Sequence, residues 1–527
     1  ALDYSAPKLA KLLKRAAMDD RIKDVVLVLD RFAPSGPAPV LELTQGMDAV
    51  RAAGKPVTAY ASTYGPLAYL AAAHADTILL DPLGMVDLSG FSQTHLYYKD
   101  LLDKTGGVIH AVKAGKYKSA TESYERASMS DEARSAGLKV LGDHWQSLIA
   151  HLEPLRGDRG LSFANKVDRL AHLMAAGGDT AQHALDLGLV DALASPARTA
   201  ELLGLVNLYD DETAGRMLPA QVYQKAIDPL SCPMPVRTDG KGGTIAIVVL
   251  EGDITQGGAK PGAITPGSTV PLFQRLRKSE NLAAVVLRID TPGGDVVVSE
   301  QVRAEILALK KRGVYVAASL GSVAASGGYW IASAADDIYA SPLTTTGSIG
   351  AFALIPSASG LIDRIGVHAE TLHVGPGPNY GSLVSDVSPA HMQAAQMRIN
   401  HVYDSFIDRV AQGRGLSRDA VEAAAGGRIW ATGDARRLDL IDGVHALDEV
   451  VALTAEKVGT DPACDSFVRM ALPLGTALQA LQQQVSLGQH EVLASLAKLK
   501  GLMTALPEKS QAPAARVQCL NCAPITY

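Results

Sequence analysis

The sequence predicts an α/β protein of two tandem domains, each a mostly parallel sheet in βαβ units flanked by helices. Three observations carry that prediction. The chain repeats itself across its middle, each copy alternates short β-branched runs with alanine-rich stretches, and the length exceeds what one core organises.

The chain has 527 residues, 47% of them hydrophobic, enough for two or more folded units. "VVLVLD" at 25–30 and "VVLRID" at 285–290 lie 260 positions apart, and the offset holds without a gap through the next hundred positions. It sets Ser62 opposite Ser322, Tyr69 opposite Tyr329, Asp76 opposite Asp336 and Gly106 opposite Gly366. With slightly smaller offsets it continues through "SLI" at 147 and "SFI" at 405, then "RGLS" at 159 and 414. Copies of this length are folded halves, not solenoid units.

Within the second copy, "TIAIVVLEG" (244–252), "AAVVLRID" (283–290), "VYVAAS" (314–319) and "DDIYAS" (336–341) read as strands. "SEQVRAEILALKKRG" reads as a helix ending at Gly313. Such alternation builds βαβ units around a buried sheet. The domains are therefore expected at 1–203 and 243–458, joined by a turn-rich linker at 204–242. Beyond 459 the repeat is lost, and 459–527 carries Leu478, Leu481, Val485, Val492, Leu496, Leu499 and Met503 at helical spacing, broken by Gly488. Its polar side holds glutamines more than lysines, which favours packing on its own domain or a sister subunit over a membrane surface.

Charge excludes some partners. The net −6 is spread over interspersed acids and bases, so nucleic acid is not an expected partner. The four cysteines are too few and scattered for a disulfide framework or a zinc site, and no metal or cofactor is expected. Cys519 and Cys522 fit either a small local disulfide or two idle thiols in a tail. No stretch approaches the roughly 18 apolar residues of a membrane span, and the first residues lack the features of a secretory leader. The chain starts without methionine, which leaves room for an upstream leader or anchor.

Duplication supplies an internal control: residues kept for folding tend to recur in both copies, whereas chemistry needs only one. Ser326, within "AASGGYW", faces Pro66, and Gly327 and Gly328 face Leu67 and Ala68. The turn Thr291-Pro292-Gly293-Gly294 faces Arg31-Phe32-Ala33-Pro34. A strand-to-helix turn would lift Ser326 out of the sheet beside a helix N-terminus. The N–H of Gly327, with that of Gly293 or Gly294, would then converge on an oxyanion, glycine allowing the close backbone approach. Alone, the first motif is equally a helix-to-sheet contact and the second a tight turn.

A serine nucleophile needs a base. None of the 13 histidines follows a known local triad spacing, His373 in a loop included. "VKAGKYKSATESY" at 112–124 offers lysines instead; Lys113 and Lys116 read as solvated, whereas Lys118 sits beside Tyr117, Ser119 and Ala120, opposite Pro378. A lysine acts as base only if its pKa falls from about 10.4 toward 7–8, which requires burial.

"GKYKSATESY", "TPGGDVVVSE", "AASGGYWIASAAD" and "TGSIG", in this order across two homologous halves, resemble the long, duplicated form of the bacterial signal peptide peptidase A family over nearly the whole chain. The resemblance implies two tandem Clp/crotonase-like domains and a serine–lysine dyad protease, with Ser326 as nucleophile and Lys118 as general base. It further implies that Ser348, opposite Leu88, holds the lysine ammonium. Implied partners are remnant signal peptides and other short apolar peptides, and further copies of the chain, four in a bowl. Implied location is the cytoplasmic membrane with the catalytic part on the periplasmic side, held by a segment absent from this chain. Asp290 and Thr291 replace the Asn and Ser usual before PGG, and Ser123 replaces a usual proline, which is expected to loosen the loop carrying Lys118. Two rival readings are a crotonase-like acyl-CoA hydratase or hydrolase, disfavoured by the lack of a paired Glu, and a catalytically decayed scaffold.

Overall fold

Both halves are α/β units on parallel sheets, as the repeat predicts. The computed structural model describes residues 6–156 except 31, 177–204, 243–370, 383–460 and 467–470, with positions 208, 220, 223, 372, 374 and 375 between. The tail from 471 on, the two C-terminal cysteines, His373, Pro378 and most of the 204–242 linker lie outside the described residues, whereas Phe467–Met470, within the span expected as helical tail, is a strand paired with Ile245–Val248 of the second half.

The first half contains β1 (Val25–Val28), β2 (Val57–Tyr64), β3 (Thr77–Val86), β4 (Val108–Ala114) and β5 (Ala192–Leu193). Of these, β1-β2-β3-β5 form a parallel sheet in that order. Helices α1 (Pro37–Ala52) and α2 (Pro66–Ala72) follow β1 and β2, and α3 (Asp131–Arg156) follows β4.

The second half contains β6 (Thr244–Glu251), β7 (Asp253–Ile254), β8 (Ala263–Ile264), β9 (Leu282–Thr291), β10 (Tyr315–Ala325), β11 (Asp337–Ala340), β12 (Thr345–Gly347), β13 (Ala351–Ser357), β14 (Ile429–Ala431), β15 (Gly443–Val444) and β16 (Phe467–Met470). Its main sheet runs β14-β12-β10-β9-β6-β16, with β11 beside β10 and β15 beside β11. Every pairing in it is parallel except β12 with β14. Helices α4 (Val296–Lys310), α5 (Gly327–Ala332) and α6 (Pro389–Arg414) flank it.

The sequence explains why the sheet is covered on both faces. Along β9, Val285, Leu287 and Ile289 enter one core, with Val298, Val302 and Ile306 of α4. The alternate Ala284 and Val286 enter another, with Leu447 and Val450. A strand buried on both sides must be continuously apolar, which is how "AAVVLRID" reads. Two boundaries differ from expectation. Helix α4 spans 296–310 because the Asp295 carboxylate accepts from the Val298 N–H at 3.0 Å and caps it three residues earlier than the pattern suggests. Strand β10 runs on to Ala325, through small residues that the apolar pattern ended at 319.

The halves interlock through chain crossings. Glu42 of α1 pairs with Arg288 of β9 at 2.5 Å, both buried. A Cβ on Gly36, just before α1, would lie 2.3 Å from Ser322 Oγ, so the helix start packs directly on β10. Strands β4 and β13, one from each half, pair antiparallel from Ala114–Ala351 to Val108–Ser357. That ribbon ends beside the residues the motifs single out.

Candidate active site

Ser326 sits between the last residue of β10 and the first of α5, with φ 53° and ψ −118°. A positive φ costs a residue with a Cβ on the order of 1–2 kcal/mol, and strain of this kind concentrates at functional sites. The turn is held from both ends: the Ser326 N–H donates to the Gly347 carbonyl at 2.9 Å, and the Trp330 N–H donates to the Ser326 carbonyl at 2.9 Å. The hydroxyl therefore stands at the mouth of a helix rather than in the sheet.

Lys118 comes from the other half. The β4–β13 ribbon brings the chain in, and the Tyr117 N–H donates to the Gly426 carbonyl at 2.8 Å. A Cβ on Gly427 would lie 2.7 Å from the Lys118 nitrogen, so only glycine admits the lysine's backbone there. The side chain is 3% exposed, and Nζ lies 2.9 Å from Ser326 Oγ, 3.0 Å from the Ser348 carbonyl oxygen and 3.0 Å from Ser348 Oγ. Ser348 is itself buried with φ 53°, its N–H donating to the Arg428 carbonyl at 2.7 Å. The amine is thus ringed by three oxygens, the two of Ser348 and the Ser326 hydroxyl.

Of the two turn glycines, Gly294 faces the site. The Gly293 N–H donates to Thr291 Oγ1 at 3.1 Å, within the turn, whereas Gly294 lines the cavity at Ser326 together with Gly327. Gly293 acts sterically: at φ 107°, an added Cβ would lie 2.8 Å from the Gly327 nitrogen. The N–H groups of Gly294 and Gly327 have no acceptor among the described residues. They are the pair of donors the turn offers to an oxyanion.

The two departures before the glycines have defined tasks. Thr291 supplies that hydroxyl, and the Asp290 carboxylate accepts from the Ser322 and Val323 N–H groups, both at 3.1 Å, where the β10 register shifts. Burial raises the Asp290 pKa above the usual carboxylate value. Ser123 does not loosen the Lys118 loop. Its hydroxyl donates to the Leu96 carbonyl at 2.7 Å and its carbonyl accepts from the Tyr98 N–H at 2.6 Å, so it tethers the loop where a proline would have stiffened it.

Sequence reasoning missed the cavity itself. It measures about 540 Å³, opens on Ser326, and is walled by β13 and by Ile399, Val402 and Phe406 of α6, with Trp330 beside them. The Trp330 indole N–H donates to Glu300 at 2.7 Å, and Arg409 bonds the same carboxylate at 2.8 Å while lying 4.9 Å from the indole ring. Helical spacing in "INHVYDSF" was the available signal, but periodicity alone does not separate a cavity wall from a core face.

Comparison with known proteins points one way. A family model described as peptidase family S49 matches residues 49–203 and 308–461, once in each half. "Protease 4" of Salmonella typhi is 36% identical over 84% of this chain and 70% of its own length. "Serine protease SPPA, chloroplastic" of Arabidopsis thaliana is 27% identical over 86% of this chain and 66% of its own. Among solved structures, a ClpP1 mutant from Listeria monocytogenes aligns with 39% of this chain and 93% of its own, at 13% identity and a TM-score of 0.25.

Proposed function

The chain belongs to peptidase family S49 and is a serine protease, and from that premise we propose that it hydrolyses short apolar peptides, remnant signal peptides among them, with Ser326 as nucleophile and Lys118 as general base. The observation that carries this reading is the 2.9 Å contact between a buried Lys118 amine and the Ser326 hydroxyl on a strained turn. Family membership sets aside the acyl-CoA reading.

In the proposed mechanism neutral Lys118 takes the Ser326 hydroxyl proton as Oγ attacks the scissile carbonyl carbon. The tetrahedral oxyanion accepts from the N–H groups of Gly327 and Gly294, preorganised donors of the kind that contribute about 3–4 kcal/mol each in such sites. The Lys118 ammonium returns the proton to the leaving amine as the C–N bond breaks. Water, deprotonated by the same amine, then hydrolyses the ester, and Oγ recovers its proton. Ser348 orients the amine through both its oxygens and stabilises the ammonium when it forms. An apolar cavity beside the nucleophile supports an apolar peptide as substrate.

The same reading extends to assembly and place: a homotetramer at the cytoplasmic membrane, with the catalytic part on the periplasmic side. No helix among the described residues is long and apolar enough to cross a membrane, so this reading relies on an anchoring segment elsewhere. The test is hydrolysis of an apolar peptide ester by the wild type, Ser326→Ala and Lys118→Ala. Loss in both variants is expected. Full activity in either, or an inactive wild type as a decayed scaffold requires, would overturn the assignment.

A further inference from the structure

The cavity beside Ser326 is apolar along most of its wall, yet α6 sets one arginine into it. Arg398 lines the cavity on the same helical face as Ala394, Ala395 and Val402. Two other arginines of α6 are paired: Arg409 with Glu300 at 2.8 Å and Arg414 with Asp442 at 2.7 Å. Arg398, exposed to solvent, has no ion pair or hydrogen bond among the described residues. The one acidic residue on the cavity wall among the described residues, Asp295, is engaged elsewhere, accepting from the Val298 N–H at 3.0 Å and from Gln256 at 2.8 Å. His391, two turns earlier on α6, also lines the cavity.

An arginine that lines a reaction cavity, with no carboxylate among the described residues to neutralise it, matches a carboxylate carried by the ligand. At about 540 Å³ the cavity falls within the ~300–1,000 Å³ range of ligand sites. That leaves room for a carboxylate near the side chain that packs against Trp330 and Phe406. We propose that Arg398 is a specificity determinant that selects peptides bearing a carboxylate within a residue or two of an apolar anchor. The carboxylate comes either from an acidic side chain or from the free C-terminus of a short, already cleaved peptide. The inference rests on the reading of Ser326 as the nucleophile.

The test uses the whole chain and three apolar peptides of one core sequence: one blocked at both ends with Glu at a position near the anchor, one with Gln there and a free C-terminal carboxylate, and one with Gln and a C-terminal amide. The kcat/KM of each charged peptide over the neutral amide is the readout, for the wild type, Arg398→Gln and Arg398→Glu. A wild-type ratio of about tenfold or more for at least one charged peptide is expected, since charge-assisted hydrogen bonds are of that order. The ratio falls toward one in Arg398→Gln. In Arg398→Glu the preference moves to a fourth peptide with Lys in place of Glu. The charged peptide that is preferred identifies the source of the carboxylate. Because Arg398 is exposed, both variants should fold, and retained thermal unfolding checks this. A wild-type ratio near one, or a ratio that the substitutions leave unchanged, overturns the inference while the protease assignment stands. Failure of the wild type to cleave any peptide, or retained cleavage in Ser326→Ala, overturns the assignment of the nucleophile and this inference with it.

Discussion

In the first half the Tyr69 hydroxyl donates to the Leu189 carbonyl at 2.7 Å, and in the second Tyr329 donates to Leu440 at 2.7 Å. Asp76 accepts from the Val57 N–H as Asp336 does from Val316, and Asp191 pairs with Arg156 as Asp442 does with Arg414. The carboxylate bond at this position also recurs, exposed in the first half and buried in the second: Asp30 accepts from the Ser62 N–H, and Asp290 from Ser322. The framework is thus kept nearly bond for bond. The departure comes at the ends of the matching strands β2 and β10. There the first half turns through Gly65 in extended conformation into Pro66, which cannot adopt a positive φ, whereas the second turns through Ser326 at φ 53°. All three non-glycine residues with positive φ among the described residues, Ser326, Ser348 and Asp439, lie in the second half, and two of them touch Lys118. One copy keeps the relaxed turn and lends its lysine; the other carries the strain.

That division makes its largest prediction about activity. Ser326→Ala should lower kcat/KM by about 10⁴-fold or more, and adding Pro66→Ser to that variant should restore nothing, because the first copy lacks both the glycine turn and a facing lysine. Recovered hydrolysis in the double variant would break the comparison. Next in size is Gly327→Ala, whose Cβ would lie 2.6 Å from Ser299 Oγ. It should reduce kcat by roughly 10²–10³-fold, while Leu67→Ala at the matching site leaves kcat unchanged; steady-state kinetics on a peptide ester reads both.

The long helices differ in a way that pH exposes. At the offset aligning 147 with 405, His144 of α3 faces Val402 of α6. His144 reaches into the second half, with Nε2 3.3 Å from the Thr344 carbonyl oxygen and Nδ1 buried without a partner among the described residues. Burial lowers its pKa from 6.5 to about 4. The unfolded chain then takes up a proton that the folded one refuses. The associated stability is present above about pH 6.5 and is lost as pH falls toward 4, on the order of 3 kcal/mol in all. Chemical denaturation of His144→Gln should therefore show a flatter decline than the wild type over that window. The smallest effect tests the shared framework. Tyr69→Phe and Tyr329→Phe should each lower stability by about 1–2 kcal/mol, the cost of orphaning a buried carbonyl, and by amounts that agree within experimental scatter. A large disparity would show that the two copies are not equivalent supports.

The fold and the two residues that meet across the halves, Ser326 and Lys118, were legible in the sequence for different physical reasons. "VVLRID" and its copy announce buried parallel strands because burial on both faces forces a continuous apolar run. Ser326 and Lys118 stood out because duplication exposes what only one copy keeps. The choice between Gly293 and Gly294 was not legible, since it depends on the Thr291 hydroxyl occupying one of the two N–H groups. Nor was the wall built by α6, where Ile399, Val402 and Phe406 follow the spacing of any buried helix face. The role of Ser123 likewise depended on a carbonyl 27 residues away in the chain, at Leu96.

The central claim is that an amine from one half activates an alcohol from the other. Its most direct test is the rate at which a peptidyl fluorophosphonate modifies the protein, with the adduct located by mass spectrometry. The account predicts a single adduct on Ser326 in the wild type and loss of that labelling in Lys118→Ala. Labelling of Ser326 at the wild-type rate without the lysine, or an adduct on a different serine, would contradict it.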